Sequence, residues 1–284
     1  MRKIIFLSSL ALFLSNPSKA QDFTIISWNI KFLPRVLLHI KHRPLKRVQP
    51  IAEHLLKDTA DVLVLQEAFD NLANRRLIKK LNGLYPFYIG PANKKCCFKL
   101  SSGILILSRH PIRQLATIDF KSCEKEDCFA RKGALLVEVR WNDRQLQVLG
   151  THLEAGGGKE IKMEQYQEIA SIVKPNAKEG IPQFLCGDFN TRKTDTFLYP
   201  RMLAILDAED GSLHGELQFT SDHLLNDMSN YRPDDREVID FILYRGNGIP
   251  LQKATRSVTR YQSKWSKQNR DLSDHFGVKI RCVF

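Results

Sequence analysis

The sequence has 284 residues, with 43 Lys+Arg against 31 Asp+Glu, a formal charge of +12. Apolar content of 43% beside 26% charged residues argues against a disordered chain, and no uncharged apolar run reaches the about 18 residues of a membrane-spanning helix. The sequence holds no heptad array, collagen period, low-complexity tract or repeat of about 20–50 residues. In chain order, Met1-Arg2-Lys3 is followed by the apolar stretch Ile4 to Leu14 and then Ser18-Lys19-Ala20. A charged start, a short apolar centre and a small-x-small site make a secretory signal. Residues 1–20 are therefore expected to be a signal peptide and the protein to be secreted or periplasmic. Losing Arg2, Lys3 and Lys19 with that segment leaves a charge of +9.

After the signal, short apolar runs alternate with helical stretches. The pattern predicts strands over Phe23–Trp28, Asp61–Leu65, Gly103–Leu107, Ala134–Val139, Leu146–Leu149, Gln183–Cys186, Val238–Tyr244 and Phe276–Ile280. It predicts helices over Val48–Lys57, Asn71–Leu81 and Ile161–Val173, two of them closed by Asn82-Gly83 and Pro175. Strands with interspersed helices predict layered α/β architecture. No Pro/Gly/Ser-rich linker divides the chain, so residues 21–284 are expected to form one domain.

An exported chain can keep disulfides. Of the six cysteines, Cys186 and Cys282 lie in apolar runs and read as buried thiols. Cys96, Cys97, Cys123 and Cys128 lie in polar stretches, where at least one bridge between the two loops is expected. A zinc site is the weaker alternative, because no His stands at ligand spacing beside them.

Several apolar runs end in a residue able to bind a metal or move a proton: Asn29, Glu67, His152 and Asp188, the last with Asn190 two positions on. Asp240 sits inside an apolar run, and Asp274-His275 immediately precedes one. Each has a bland explanation taken singly, since turns and caps favour these types and Glu67 is placed to cap the next helix. Asp240 resists it, because an ionised carboxylate within a buried strand costs several kcal/mol unless paired; His152 or His275 is the natural partner. Residues gathered at strand ends predict one shared cleft. Carboxylates and carboxamides suit Mg²⁺, and histidines move protons near neutral pH. Together they fit metal-assisted attack of water on a phosphate ester. No Gly-x-Ser-x-Gly turn, His-Glu-x-x-His helix or Walker loop is present.

Ser27-Trp28-Asn29, Leu65-Gln66-Glu67, Gly150-Thr151-His152-Leu153, Cys186-Gly187-Asp188-Phe189-Asn190, Ile239-Asp240-Phe241 and Ser273-Asp274-His275 resemble, in order, the motifs of the endonuclease/exonuclease/phosphatase superfamily. Leu33-Pro34, Gln66-Glu67-Ala68-Phe69-Asp70, the run Gly103 to Ile112 and Phe129-Ala130-Arg131-Lys132-Gly133 are similar to bacterial and neutral sphingomyelinases. The resemblance implies a four-layer α/β/β/α sandwich of two packed mixed β-sheets flanked by helices. It implies a Mg²⁺-dependent phosphodiesterase, with Mn²⁺ or Co²⁺ as substitutes, that cleaves sphingomyelin to ceramide and phosphocholine.

By the same resemblance Glu67 and Asn29 are metal ligands, and Asp188 and Asn190 orient the attacking water and a phosphate oxygen. His152 binds the phosphoryl group, His275 is the general base, Asp240 orients His275, and Asp274 supports the metal or its waters. The segment before Ser273 is mostly basic where that subfamily often carries an apolar hairpin, leaving Trp265 and Tyr261 as candidate membrane contacts. Glu154 stands where an uncharged amide is more usual. The positive charge favours acidic partners. It is densest in Lys41 to Arg47 and Lys264 to Arg270, where solvated surface is the plainer reading. A phospholipid membrane surface is the expected partner, a secreted nuclease acting on nucleic acid is the alternative, an inactive surface-binding protein is a third reading, and a monomer is expected.

Overall fold

The computed structural model describes residues 22–34, 42–93, 99–229 and 234–284. The expected signal and Cys96 and Cys97 lie outside them. The strands are β1 (Asp22–Phe32), β2 (Val62–Ala68), β3 (Phe87–Ile89), β4 (Leu105–Ser108), β5 (Ile112–Asp119), β6 (Gly133–Trp141), β7 (Arg144–His152), β8 (Gln183–Asp188), β9 (Leu213–His214), β10 (Ser221–Asp222), β11 (Arg236–Glu237), β12 (Asp240–Arg245), β13 (Lys253–Thr259) and β14 (Gly277–Val283). The helices are α1 (Pro44–Asp58), α2 (Asn71–Leu81), α3 (Lys159–Asn176) and α4 (Leu198–Leu206). One sheet runs β3-β4-β2-β1-β14-β13-β9 and the other β12-β8-β7-β6-β5; β10 and β11 form a separate ribbon.

The side-chain alternation of the strands builds the layers. Phe23 and Ile25 of β1, Val62 and Val64 of β2, and Leu135, Val137 and Val148 of β6 and β7 share the apolar layer between the sheets. The intervening Ile26, Trp28, Leu63 and Leu65 face outward and pack against Val48, Ile51 and Leu55 of α1 and Leu77 of α2. On the far side, Leu136, Leu149 and Leu185 meet Tyr166 and Ile169 of α3 and Met202 of α4. A period of two therefore feeds two different cores from one strand, giving the four-layer α/β/β/α sandwich with two mixed sheets. Gly150 lets the sheets approach closely: a Cβ there would meet Ile104 Cγ2 at 2.7 Å and Val64 Cγ1 at 2.9 Å.

Two crossovers set the position of the site. β1 and β2 pair in parallel, as do β7 and β8, with His152 opposite Asp188. β12 runs antiparallel to β8 and begins with Asp240 opposite Asp188. The ends of β1, β2, β7 and β8 and the starts of β12 and β14 thus meet at one end of the sandwich.

One sequence expectation changes, and elements outside the predicted pattern appear. Cys123 bonds to Cys128 within one loop, so neither can form the expected bridge to the other polar loop. Cys186 and Cys282 are buried free thiols, as expected. β5, β13 and α4 were not anticipated, because β5 and β13 lack a fully apolar run and are only half-buried, and α4 is short, with Pro200 in its first turn.

Candidate active site

A cleft of about 360 Å³ opens at that end, lined by Glu67, His152, Asp188, Asn190, Asp274 and His275 among others. Six of the eight catalytic and metal-binding residues expected from sequence therefore share one wall. The other two, Asn29 and Asp240, lie directly beneath. The Asn29 amide nitrogen donates to Glu67 Oε1 at 2.9 Å and to Asp188 Oδ2 at 3.2 Å, so it joins the two sheets. Asp240, buried as β12 begins, places Oδ2 3.0 Å from His275 Nδ1. The other ring nitrogen of His275 is 3.7 Å from Asp188 Oδ2.

Local structure explains these placements. Glu67 does not cap α2: Asp70 does, accepting from the Leu72 and Ala73 amides at 3.1 and 2.8 Å. Glu67 instead stands one residue before the end of β2 in a left-handed backbone conformation, which Asn190 also adopts after β8. Non-glycine residues held there carry strain that clusters at functional sites. Asn29 does close a turn, its Oδ1 accepting from the Lys31 amide at 3.2 Å, while its nitrogen bridges the acids. The loop bearing His275 is pinned to β1 by Trp28, whose indole donates to the His275 carbonyl at 2.9 Å, and by Ser273, whose hydroxyl donates to the Asn29 carbonyl at 2.6 Å. Arg47 adds a third tie, donating to the carbonyls of Ile30 and Leu272, both at 2.6 Å.

Burial and charge set the protonation of the cleft. Burial and the adjacent Asp240 carboxylate push Asp188 above the usual carboxylate range, against His275 and Lys132. Burial opposes a charge on His275, but Asp240 and Asp188 outweigh it and raise its pKa well above ordinary. His152 moves the opposite way: burial, then the Lys132 charge, hold it neutral well below the usual histidine value. Its Nε2 is 3.2 Å from Lys132 Nζ and 3.5 Å from Asp188 Oδ2. Burial raises the pKa of Asp274, but its ion pair with Lys31 and the nearby His275 outweigh burial and hold it low, at about 2. The two histidines are thus separated into a charged and a neutral one by their partners.

The donor chemistry fits a hard divalent cation. Carboxylate and carboxamide oxygens suit Mg²⁺, and the Asn29 N–H groups stand where they offset Glu67 and Asp188, two acids whose charge a cation would neutralise. Asp188, Asp240 and His275 also bring ligand atoms within 4.8 Å of one another, but the Asp240–His275 hydrogen bond marks that pair as an oriented histidine.

Lys31, Asp127, Lys132, Arg192 and His223 also line the cleft. Only Lys132 had a sequence signal, the Phe129 to Gly133 motif. The expected membrane contacts fare differently. Tyr261 is 4% exposed, packs on Trp28 and donates its hydroxyl to Asp58 at 2.5 Å; it is a core residue and not a lipid contact. Trp265 is half-buried, its indole donating to the Asp271 carbonyl at 2.7 Å.

A model of the Endonuclease/Exonuclease/phosphatase family matches residues 26–275. A phospholipase C of Staphylococcus aureus is 28% identical over 291 residues, covering 91% of this chain and 86% of its own. A sphingomyelinase C of Listeria ivanovii is 25% identical, covering 90% and 85%. A crystal structure of a Staphylococcus aureus beta toxin mutant with bound magnesium ions superposes with a TM-score of 0.82 at 25% identity, over 92% of this chain and 99% of that one.

Proposed function

The chain belongs to the endonuclease/exonuclease/phosphatase family, whose members include phosphoric diester hydrolases, and from that membership and its cleft we propose that it is a Mg²⁺-dependent phosphodiesterase that hydrolyses sphingomyelin to ceramide and phosphocholine. The observation that carries this reading is the chain of contacts from Glu67 through Asn29 to Asp188, and from Asp188 through His275 to Asp240. It supports the reading of a cation site beside an oriented base. Relatives named sphingomyelinase C favour the lipid over a nucleic acid.

Glu67 and Asn29 would hold the ion, which would supply charge that offsets the acids around His275 and polarises a phosphoryl oxygen. Asp188 and Asn190 orient the water. Its oxygen attacks phosphorus while His275 takes the proton, and Asp240 fixes the imidazole. Lys132 donates to the charge that develops on the phosphoryl oxygens, beside a neutral His152. The P–O bond to ceramide breaks, and the ceramide oxygen takes up a proton. Asp274, paired with Lys31, shapes the charge at the rim.

The substrate would be met at a membrane surface by a secreted protein. Residues of both basic stretches, including Arg43, Lys46 and Lys267, converge on a second cavity of about 880 Å³, which adds attraction for anionic headgroups. Purified protein with Mg²⁺, offered sphingomyelin vesicles and plasmid DNA separately, tests the reading. Phosphocholine release without nicking is expected. Nicking without phosphocholine release would replace it with the nuclease.

A further inference from the structure

Behind the phosphate end of the cleft lies a pair of acids that the reaction above does not use. Glu154, 2% exposed, follows β7. Its carboxyl touches that of Asp127 and accepts from the Glu124 amide at 3.3 Å. Both Asp127 oxygens are committed: Oδ1 lies 2.8 Å from Lys132 Nζ, and Oδ2 accepts from the Ala155 amide at 2.7 Å. Lys132 is also buried and reaches His152 and the Leu153 carbonyl. Asp127 rides on a short loop closed on both sides by the Cys123–Cys128 disulfide.

We propose that Glu154 is a positioning residue for phosphodiester hydrolysis: it carries the proton between the two touching carboxyls, and so holds Asp127 on Lys132 and Lys132 at the phosphate end of the cleft. The proposal rests on the reading of that cleft as a phosphodiesterase site. Two carboxyls in contact cannot both ionise without repulsion. Asp127 keeps the charge because Lys132 faces it, and Glu154 keeps the proton. A neutral Glu154 also spares the phosphate a buried negative charge behind Lys132. Burial and then Asp127 push Glu154 up to about 7, so the arrangement is intact in acid and lost as pH rises through neutrality.

The other charged groups facing the pair are Lys132, His152 and Lys162. Across a small cavity behind Glu154 lie Lys99, Asp119, Lys121 and Arg131. His152 titrates well below this window. Lys162 competes, because burial pushes it down to about 7; it donates to the carbonyls of Glu154 and Asn190.

Glu154→Gln separates them, since the amide donates to Asp127 without titrating. The full chain is assayed on sphingomyelin vesicles with Mg²⁺ from about pH 6 to 9, and its melting temperature is followed over the same range. Wild type is expected to lose activity and melting temperature as pH rises through about 7. Glu154→Gln should match it within about twofold at pH 6, lack the decline in activity and show a shallower fall in melting temperature, the remainder belonging to His275. Asp127→Asn should move the decline to lower pH. A Glu154→Gln protein that keeps the wild-type profile overturns the proposal; a retained decline in activity alone is then assigned to Lys162, whose lowered pKa makes stability rise and not fall with pH. If wild type has no activity on the vesicles, the functional reading fails, but the melting curves still decide whether Glu154 holds the proton.

Discussion

His275 is held between two acids, with Nδ1 3.0 Å from Asp240 Oδ2 and Nε2 3.7 Å from Asp188 Oδ2. Asp240 contributes no atom to the cleft wall, so its effect passes through the imidazole. Asp240→Asn exchanges an anionic acceptor for a neutral amide, weakening both the orientation of the ring and its basicity. Turnover is expected to fall about 10–100-fold, as for other partners that orient a functional histidine. Steady-state rates on sphingomyelin vesicles, with circular dichroism to check folding, measure it. A rate within twofold of wild type would show that His275 needs no such partner.

Glu67 has no capping duty to lose, because Asp70 caps α2. Glu67→Gln should therefore leave the melting temperature near wild type and raise the Mg²⁺ concentration for half-maximal activity by at least about tenfold. A Mg²⁺ titration of activity reads it directly; superimposable curves would remove Glu67 from the metal site.

Arg47 is buried and bonded to the carbonyls of Ile30, Leu272 and His42. Arg47→Met fills much of the volume and strands these acceptors. It should cost about 2–4 kcal/mol of stability, since each buried polar group left without a partner costs about 1–3 kcal/mol. Urea unfolding measures the loss. A stable variant that is nonetheless inactive would mean that Arg47 acts only on the His275 loop.

Arg47 also shows where sequence reading stops. It lies in the densest basic run of the chain, where a solvated face is the ordinary expectation, and its burial follows from carbonyls supplied by β1 and by residue 272. Tyr261 failed for a similar reason: its ring finds Trp28 and its hydroxyl finds Asp58, both remote in sequence. What sequence did carry was whatever depends on local order. The strand runs feeding both cores, the helix over Asn71–Leu81 and the polar residues at strand ends could be read because parallel pairing through a crossover sends those ends to one side. Partners such as Lys132 for His152, or Cys128 for Cys123, required the loops to be placed first.

The raised pKa of His275 makes stability depend on pH in a stated direction. Its proton is bound more tightly in the folded protein than at its ordinary value of 6.5. The stability it contributes is complete below that value and is lost as pH rises through the folded pKa. In EDTA, wild type should exceed His275→Gln in melting temperature most near about pH 6, and the gap should close toward alkaline pH. A gap that stays constant across the range would mean that the imidazole is not held charged by Asp240 and Asp188.

With Tyr261 in the core, the apolar side chains available to a bilayer lie elsewhere. Phe129 is 65% exposed and Leu224 58% exposed. Each sits close in sequence to a residue lining the cleft, Phe129 two positions after Asp127 and Leu224 next to His223. Fully burying a Phe or Leu side chain contributes about 1.5–3 kcal/mol, so two contacts weigh heavily in holding the cleft against a lipid surface. The double substitution Phe129→Ser with Leu224→Ser should weaken sedimentation with sphingomyelin vesicles at least tenfold, and leave hydrolysis of a water-soluble phosphodiester unchanged. Equal losses on both substrates would place these residues in the chemistry of the cleft. Unchanged vesicle binding would leave adhesion to the basic surface around Lys46 and Lys267, which anionic lipid added to the vesicles should strengthen and salt should then weaken.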